Sequence, residues 1–578
     1  MTNKTSIQPL GYPIGVSDFK KIVSGHYTLV DKSLFIQDVL NDDAEVILIT
    51  RPRRFGKTLN MSMLRYFFDR IDAADNRKLF EHLAIAQAKT RHDTCCFEFQ
   101  GKYPVIFLSL KGIKAPTYEV AYQKIVSLMS RLYQEHHYLL ESTMLFPQDK
   151  QRIQDIIAEK ALATHVEDAL KNLTRYLSLH HHAKTILLID EYDTPIHAAY
   201  LSTPRYHDEM LNFMRGFLGE ALKDNEFLHK GVVTGILRIA QANLFSDLNN
   251  IDVYTLLRKD YAQYFGFTPD EVQQLVLDSG LAIQLDAIQS WYNGYQIGDT
   301  VLYNPWSMLC CLKQQGHLQS YWIETGEAGL LGVALRKQSI YVKLQLQQLM
   351  EGETIEVKLD YRTSLLDIER NPVAVWTLLV FSGYLNARPT HFSDDGKITC
   401  QVSIPNREVS GAYLRFVQNW YENALTDGHY MALLDALTHG RVEQFQELLQ
   451  TYIEQSLSYF DLGKKTPEKI YHVFMLGLLA GLRSEYLIQS NKEAGYGRFD
   501  LALVPHDTTK LGILMEFKSV EDDKDLDASA QSALNQIKHH HYTSLLHQHG
   551  IKKQLALGIA FSGKQVVVRA DGDMRSFI

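Results

Sequence analysis

Four short β-branched runs alternate with longer helical patterns over the first half of the chain: Glu45 to Thr50, Pro104 to Leu110, Thr185 to Asp190 and Gly231 to Ile236. Each is apolar nearly throughout rather than at every second position. That pattern predicts strands covered on both faces, as in a parallel α/β sheet. From Tyr261 to about Leu344 the apolar residues follow helical spacing, opened by Thr268-Pro269-Asp270 as N-cap, first-position proline and first-turn acid. Between Asn371 and Asn406 the pattern predicts a helix over Val373 to Phe381 and short strands at Gly383-Tyr384-Leu385 and Ile398 to Ile404, a winged-helix-like module. The last segment opens on Thr466-Pro467-Glu468, another helix start, passes through the longest apolar run, Val473 to Leu482, and turns to strands. That run is about half a membrane span, so it predicts a buried helix and no membrane partner.

Composition narrows the class. The chain has 578 residues, 46% hydrophobic and 22% charged, the balance of an ordinary globular protein and not of a coiled coil or disordered chain. At about 150 residues per domain, its length predicts three or four units. Five cysteines, none in a C-x-x-C pair, indicate neither a disulfide framework nor a thiolate zinc site. With no apolar leader in the first fifteen residues, a cytoplasmic protein is expected. The triplets His180-His181-His182 and His539-His540-His541 are read as solvated helix ends or loops. Net charge is -8, yet residues 464–578 hold 15 Lys and Arg against 13 Asp and Glu. A mildly basic tail on an acidic body is compatible with an end that handles nucleic acid.

The first candidate chemistry follows the first strand. Arg51-Pro52-Arg53-Arg54-Phe55-Gly56-Lys57-Thr58 leads into a helical pattern and contains the chain's single G-K-[ST] tripeptide. A strand-to-helix turn of this kind cradles phosphates with backbone N–H groups. Lys57 would reach the β/γ-phosphates and the Thr58 hydroxyl would hold Mg²⁺. Arg51 stands where the first glycine of the standard loop belongs, and Arg51, Arg53 and Arg54 add cations suited to phosphate. The plain alternative is a basic surface turn before a helix. The third strand ends in Asp190-Glu191, where Asp190 would bind Mg²⁺ through water and Glu191 would polarise the attacking water. Thr234, at the end of the fourth strand, is placed to sense the γ-phosphate, and Arg238 to contact it.

The second candidate lies near the C-terminus. Gly497 to Val504 and Leu511 to Lys518 read as paired strands around a proline-containing turn. Alternation puts Glu516 and Lys518 on one face, within reach of Asp500 on the neighbouring strand. Two close carboxylates suit a hard divalent cation, Mg²⁺ with Mn²⁺ as a substitute, and Lys518 would orient water for phosphodiester hydrolysis. The helical pattern Ala528 to Lys538 adds Gln536, with Tyr542 after it; Glu468 is a weaker ligand candidate. A second E-x-K, Glu356-Val357-Lys358, lacks a preceding strand that could supply an aspartate. The plain alternative for the hairpin is an exposed face with a cross-strand ion pair.

Pro13 to Phe19, Val30-Asp31-Lys32, the RPRRFGKT loop, LLIDEYDTPI from Leu187 and FSDLNN from Phe245 resemble the AAA-ATPase-like domain of a bacterial protein family. Ser490 to Pro505, Met515 to Val520 and Ala533 to Ile537 resemble the PD-(D/E)XK nuclease-superfamily domain in which that family typically ends. Trp291 to Tyr295, Tyr303-Asn304-Pro305 and Ile404-Pro405-Asn406 also look like the family, and the loop's missing first glycine belongs to its pattern. The resemblance implies a multidomain α/β protein: a P-loop NTPase parallel sheet (1–260), a helical lid-like region (261–345), a helical and winged-helix-like connector (346–463) and a restriction-endonuclease-like α/β domain (464–578). It implies ATP and Mg²⁺ as cofactors and nucleic acid as partner, DNA before RNA, with a homo-oligomer allowed. The expected function is ATP-gated binding and cleavage of nucleic acid in mobile-element or phage-related processes. The alternative is a non-cleaving regulatory or signalling ATPase whose nuclease fold binds nucleic acid or a protein.

Overall fold

A computed structural model describes residues 11–237, 249–322, 332, 335, 338, 340–350, 352–363, 365–369, 371–394, 396–413, 429–456, 468–482, 485–490, 493–494, 497–540 and 542–571. The chain forms two compact units, 1–335 with 352–410 and 336–351 with 411–578. Residues 352–410 thus cluster with the first sheet, a division unlike the four successive segments expected from the sequence.

The first unit is built on β1 (Val46–Thr50), β2 (Val105–Ser109), β3 (Thr185–Asp190), β4 (Leu228–Gly235) and β5 (Ile251–Tyr254), in the order β2-β3-β4-β1-β5. All four neighbouring pairs are parallel. β1 and β3 are buried at every residue, as their unbroken apolar runs require. This order places the C-terminal ends of β1, β3 and β4 side by side, where open parallel sheets bind ligands. The helix Lys57–Phe68 follows β1 directly and buries Met61, Met63, Leu64, Phe67 and Phe68.

Beyond this sheet, Thr268 and Glu271 form a capping box at the start of the helix Pro269–Ser279. The expected all-helical stretch is interrupted by a hairpin, β6 (Tyr295–Ile297) and β7 (Thr300–Leu302), whose strands are too short to show a period in the sequence. A three-stranded antiparallel sheet, order β8-β10-β9, joins β8 (Ile355–Leu359), β9 (Asn386–Phe392) and β10 (Ile398–Ser403) beside the helix Pro372–Phe381. Gly383-Tyr384-Leu385, expected as a strand, is instead the turn into β9, with Gly383 at φ 86°. Tyr384 and Leu385 are apolar because they are buried, not because they pair.

The second unit carries β11 (Tyr486–Ser490), a two-residue ladder of β12 (Glu493–Ala494) and β13 (Gly497–Arg498), β14 (Leu501–Pro505), β15 (Gly512–Ser519), β16 (Gln554–Ser562) and β17 (Gln565–Ala570). Its main sheet runs β11-β14-β15-β16-β17, with β15 and β16 parallel and the other pairs antiparallel. On one face Met515, Phe517, Ile559 and Phe561 pack with Tyr471, Phe474 and Met475 of the helix Glu468–Leu478. On the other, Ala502, Val504 and Leu514 meet Leu534 and Ile537 of the helix Leu526–His539. Among the described residues no helix is long and apolar enough to cross a membrane.

The first histidine triplet ends the helix Ala169–His181, but His181 is not simply solvated. Its ring nitrogen lies 2.9 Å from the Tyr138 hydroxyl, and burial, with Arg70 nearby, pushes it down to about 4. In the second triplet, His540 stacks on Tyr542, and His541 lies outside the described residues.

Candidate functional site

The loop after β1 turns through Arg54 (φ 66°) and Gly56 (φ 81°), both left-handed, and only the second of these is a residue at ease there. The Lys57 ammonium is buried and donates to the carbonyls of Arg51 (2.9 Å) and Pro52 (2.8 Å). Burial pushes it down, against the pull of Glu191, Asp190 and Asp193. Three hydroxyls converge on the fully buried Asp190 carboxylate: Thr58 at 2.8 Å, Thr234 at 2.7 Å and Ser109 at 3.4 Å. The structure therefore brings Lys57, Thr58, Asp190 and Thr234 together from three strand ends. Glu191 sits in the left-handed region (φ 54°), and its carboxylate accepts from the Thr194 hydroxyl at 3.3 Å.

A cavity of about 310 Å³ opens over this loop, lined by Arg53 to Asn60 and Glu191. Val16, Leu29, Val30, Phe267, Trp306 and Leu309 add apolar surface to the same cavity. Phosphate-suited groups and apolar side chains lining one cavity suit the two chemical halves of a nucleotide. The Thr58 hydroxyl and Asp190 carboxylate beside the loop are hard oxygens that fit Mg²⁺.

Arg51 departs from the expectation that it helps hold phosphate. Its guanidinium is fully buried and donates to the carbonyls of Thr50 (2.9 Å), Tyr254 (2.8 Å) and Asp260 (3.1 Å), with burial pushing it down to about 9. Instead of facing the loop, it ties β1 to the chain beyond β5. Arg54 stacks on Trp306 with its guanidinium carbon 3.9 Å from the ring centre. Arg238 lies outside the described residues. Sequence reasoning missed Asp193, whose carboxylate accepts from the N–H groups of Ile236 (2.8 Å) and Leu237 (2.9 Å). Tyr192 adds a bond from its hydroxyl to the Leu237 carbonyl, so the turn after β3 is knitted to the end of β4.

In the second unit, Asp500 precedes β14 and its carboxylate accepts from the Phe517 N–H at 2.7 Å, while the Asp500 N–H donates to Glu516 at 3.3 Å. Gln536 donates to the other oxygen of Glu516. Glu516 is 2% exposed, and burial followed by the neighbouring Asp500 pushes it up to about 8. Burial also raises Asp500, opposed by the Phe517 N–H, His472 and Lys518. Lys518 lies close enough to lower Asp500, Glu516 and Glu468 alike. Glu468, at the start of its helix, is raised by burial and faces this group. His472, which sequence reasoning missed, has a ring nitrogen 2.9 Å from the Asp500 carbonyl and 3.1 Å from the Ser490 hydroxyl. Among the described residues no three His, Cys, Asp or Glu side chains are gathered as a finished metal cluster. Two buried carboxylates, one of which raises the other, still fit a hard cation, whose charge would offset theirs.

The two units thus define a P-loop sheet joined in one chain to a mixed α/β sheet of nuclease type. Residues 13–245 match the family model described as predicted AAA-ATPase, and residues 466–571 match that of the PD-(D/E)XK nuclease superfamily. The chain carries an AAA-ATPase-like domain followed by a PD-(D/E)XK nuclease-superfamily domain. A relative described as an uncharacterized protein in the vnfD 5'region of Azotobacter chroococcum mcd 1 is 26% identical over 381 residues, 64% of this chain. The chain spans 63% of that relative's length. Among solved structures, the Aeropyrum pernix ORC1 protein in complex with DNA shares 10% identity, covering 70% of this chain and 98% of that one, with a TM-score of 0.23.

Proposed function

We propose that the protein binds and hydrolyses ATP at the loop after β1 and cuts nucleic acid at the Asp500–Glu516 site, with the nucleotide state setting the second activity. The observation that carries this reading is the buried Glu516 carboxylate beside Asp500 and Lys518, in a chain that also holds Lys57 near Asp190. At the first site the N–H groups of Arg53 to Gly56 and the Lys57 ammonium would hold phosphates, while Thr58 and Asp190 would hold Mg²⁺. Glu191 would polarise water, and Thr234, already bonded to Asp190, would report the state of the γ-phosphate.

At the second site Asp500 and Glu516 would hold Mg²⁺ or Mn²⁺, which when bound supplies Lewis-acid stabilisation of the developing phosphorane charge. Lys518 would orient water, and Gln536 fixes the Glu516 carboxylate. DNA is the favoured substrate, in mobile-element or phage-related processes, and assembly as a homo-oligomer belongs to the same proposal. Incubating the full chain with linear and circular DNA and RNA, with and without ATP and Mg²⁺ or Mn²⁺, tests it. Metal-dependent cleavage that changes with ATP is the expected result; no cleavage of any substrate under any combination rejects it.

One observation favours a second reading. Gln536 already occupies an oxygen of Glu516. A nuclease fold that binds without cutting would leave that bond in place, and the same incubation would then show nucleotide-dependent retention of DNA with no product.

A further inference from the structure

The segments Trp291 to Tyr295, Tyr303 to Pro305 and Ile404 to Asn406 contribute nothing to either proposed reaction. They nonetheless meet at one place in the first unit. Asn304 caps the helix Pro305–Lys313 by accepting from the Ser307 N–H at 3.1 Å. Asn406 accepts from the Val409 N–H at 3.1 Å and donates to the Asn293 carbonyl at 2.8 Å. Between them lies Glu408, fully buried. One of its carboxylate oxygens accepts from the N–H groups of Tyr321 (2.6 Å) and Trp322 (2.7 Å), and the other from the Ser307 hydroxyl (2.8 Å). A buried carboxyl is costly unless its bonds are met, and these three donors meet them.

Each group that Glu408 fixes leads to the phosphate loop. The Trp322 indole N–H donates to the Arg53 carbonyl at 3.1 Å. Trp306, next to Ser307, carries the Arg54 guanidinium on its ring. Tyr295 meets Phe55 edge-on at 4.9 Å between ring centres, and also lies against Trp322. A Cβ on Gly383 would come within 2.8 Å of Pro52, so that turn too is pressed against the loop. Pro52, Arg53, Arg54 and Phe55 are therefore each held from behind by residues 240 or more positions further along. Arg54 needs such support, because a left-handed conformation in a residue with a side chain persists only where its surroundings over-determine it.

We propose that Glu408 is a positioning residue for the phosphate loop, acting through Trp322 and Ser307, so that loop shape and nucleotide affinity depend on this distant carboxylate. The proposal rests on the loop being the nucleotide site, and its test separates the two. Trp322→Phe removes the N–H to Arg53 together with part of the indole ring; Glu408→Gln keeps a carbonyl for both backbone donors; Glu408→Ala keeps nothing. In the full chain, ATP affinity by calorimetry is expected to fall about tenfold for Trp322→Phe, the scale of one neutral hydrogen bond. Glu408→Ala should lose more, and Glu408→Gln should bind as wild type. Amide hydrogen exchange without nucleotide gives the second readout: residues 53–56 should exchange faster in Trp322→Phe and Glu408→Ala and at the wild-type rate in Glu408→Gln. If wild type binds no ATP, the nucleotide reading fails while exchange still decides the brace. Wild-type exchange over 53–56 and wild-type ATP affinity in Trp322→Phe would overturn it, even if Glu408→Ala does not fold.

Discussion

The two acid sites of this chain solve the same electrostatic problem in opposite ways. At the end of β3, the buried Asp190 is met from inside the protein, by the hydroxyls of Thr58, Thr234 and Ser109 and the charge of Lys57. At the end of β15, Glu516 is equally buried but has Asp500 beside it, and its compensation is one ammonium, one amide and one N–H. The first site is therefore set whether or not a ligand is bound. In the second, burial first and the neighbouring Asp500 second push Glu516 up to about 8. A carboxylate met by hydroxyls from within the protein and one left beside a second carboxylate are the two designs that this difference defines.

The sharpest way to break that comparison is at the carboxylates. Asp500→Ala or Glu516→Ala should lower Mg²⁺-dependent cleavage by about 1,000-fold, since either change removes half of the metal's charged ligands. ATP affinity should not move, because Lys57, Thr58 and Asp190 belong to the other unit. Equal cleavage rates for wild type and Asp500→Ala across a metal titration would reduce the hairpin to scaffold.

On the other side, Lys57→Ala should weaken ATP binding by about 100-fold, the loss of charge-assisted bonds to phosphate. Glu191→Gln should keep that affinity and lose about 100-fold in turnover, because only water activation depends on it. Calorimetry paired with a phosphate-release assay distinguishes the two variants, and unchanged affinity in Lys57→Ala would remove the loop from the mechanism.

Much of both sites was readable before the fold. Unbroken apolar runs gave four of the five parallel strands, and G-K-T after the first of them gave the loop; β5 (Ile251–Tyr254), half-exposed at its start, carries no such run. Period-two alternation put Glu516 and Lys518 on one face within reach of Asp500, and the helical pattern Ala528 to Lys538 added Gln536 to the same region. What stayed hidden depends on contacts between residues 43 to 209 positions apart. Arg51 reads as a phosphate-binding cation until Tyr254 and Asp260 offer it carbonyls. Asp193 gives no signal of its role until the backbone of Ile236 and Leu237 arrives beside it. Glu408 gives no local signal at all, since its partners lie 86 to 101 positions away.

Arg51 turns this into an intermediate prediction. Arg51→Ala leaves three backbone carbonyls without their donor and should cost about 3 kcal/mol of stability, measured by urea unfolding of the full chain. Its effect on ATP affinity should be far smaller than that of Lys57→Ala. The reverse ranking would return Arg51 to the phosphate site.

The incomplete compensation at Glu516 has a signature in pH. Its carboxyl is raised from 4.5 to about 8 in the folded chain, so the folded state holds a proton that the unfolded state has already released. Stability from this group is fully present below pH 4.5 and falls as pH rises towards 8, where it is lost. Unfolding of the second unit in a chelator should show that decline. Glu516→Gln should remove it, and millimolar Mg²⁺ should restore stability at the alkaline end. A flat profile in the chelator would mean that the site is compensated as fully as Asp190.

The smallest expected effect concerns the second E-x-K of the chain. Glu356 and Lys358 lie on β8, where burial alternates so that Ile355, Val357 and Leu359 face inwards and these two face solvent. Their register partners on β10 are Gln401 and Thr399, with no aspartate across the ladder to complete a metal site. Water screens an exposed charge of this kind, so Glu356→Ala should change stability by about 0.5 kcal/mol or less and leave cleavage untouched. The E-x-K pattern is the same as at Glu516; what sets that site apart is a neighbouring carboxylate and the loss of water around the pair. Cleavage rates for Glu356→Ala and Glu516→Ala, measured side by side, therefore weigh the motif against its surroundings. If the two variants fall equally, the spelling of the motif matters more than the burial and pairing that set Glu516 apart.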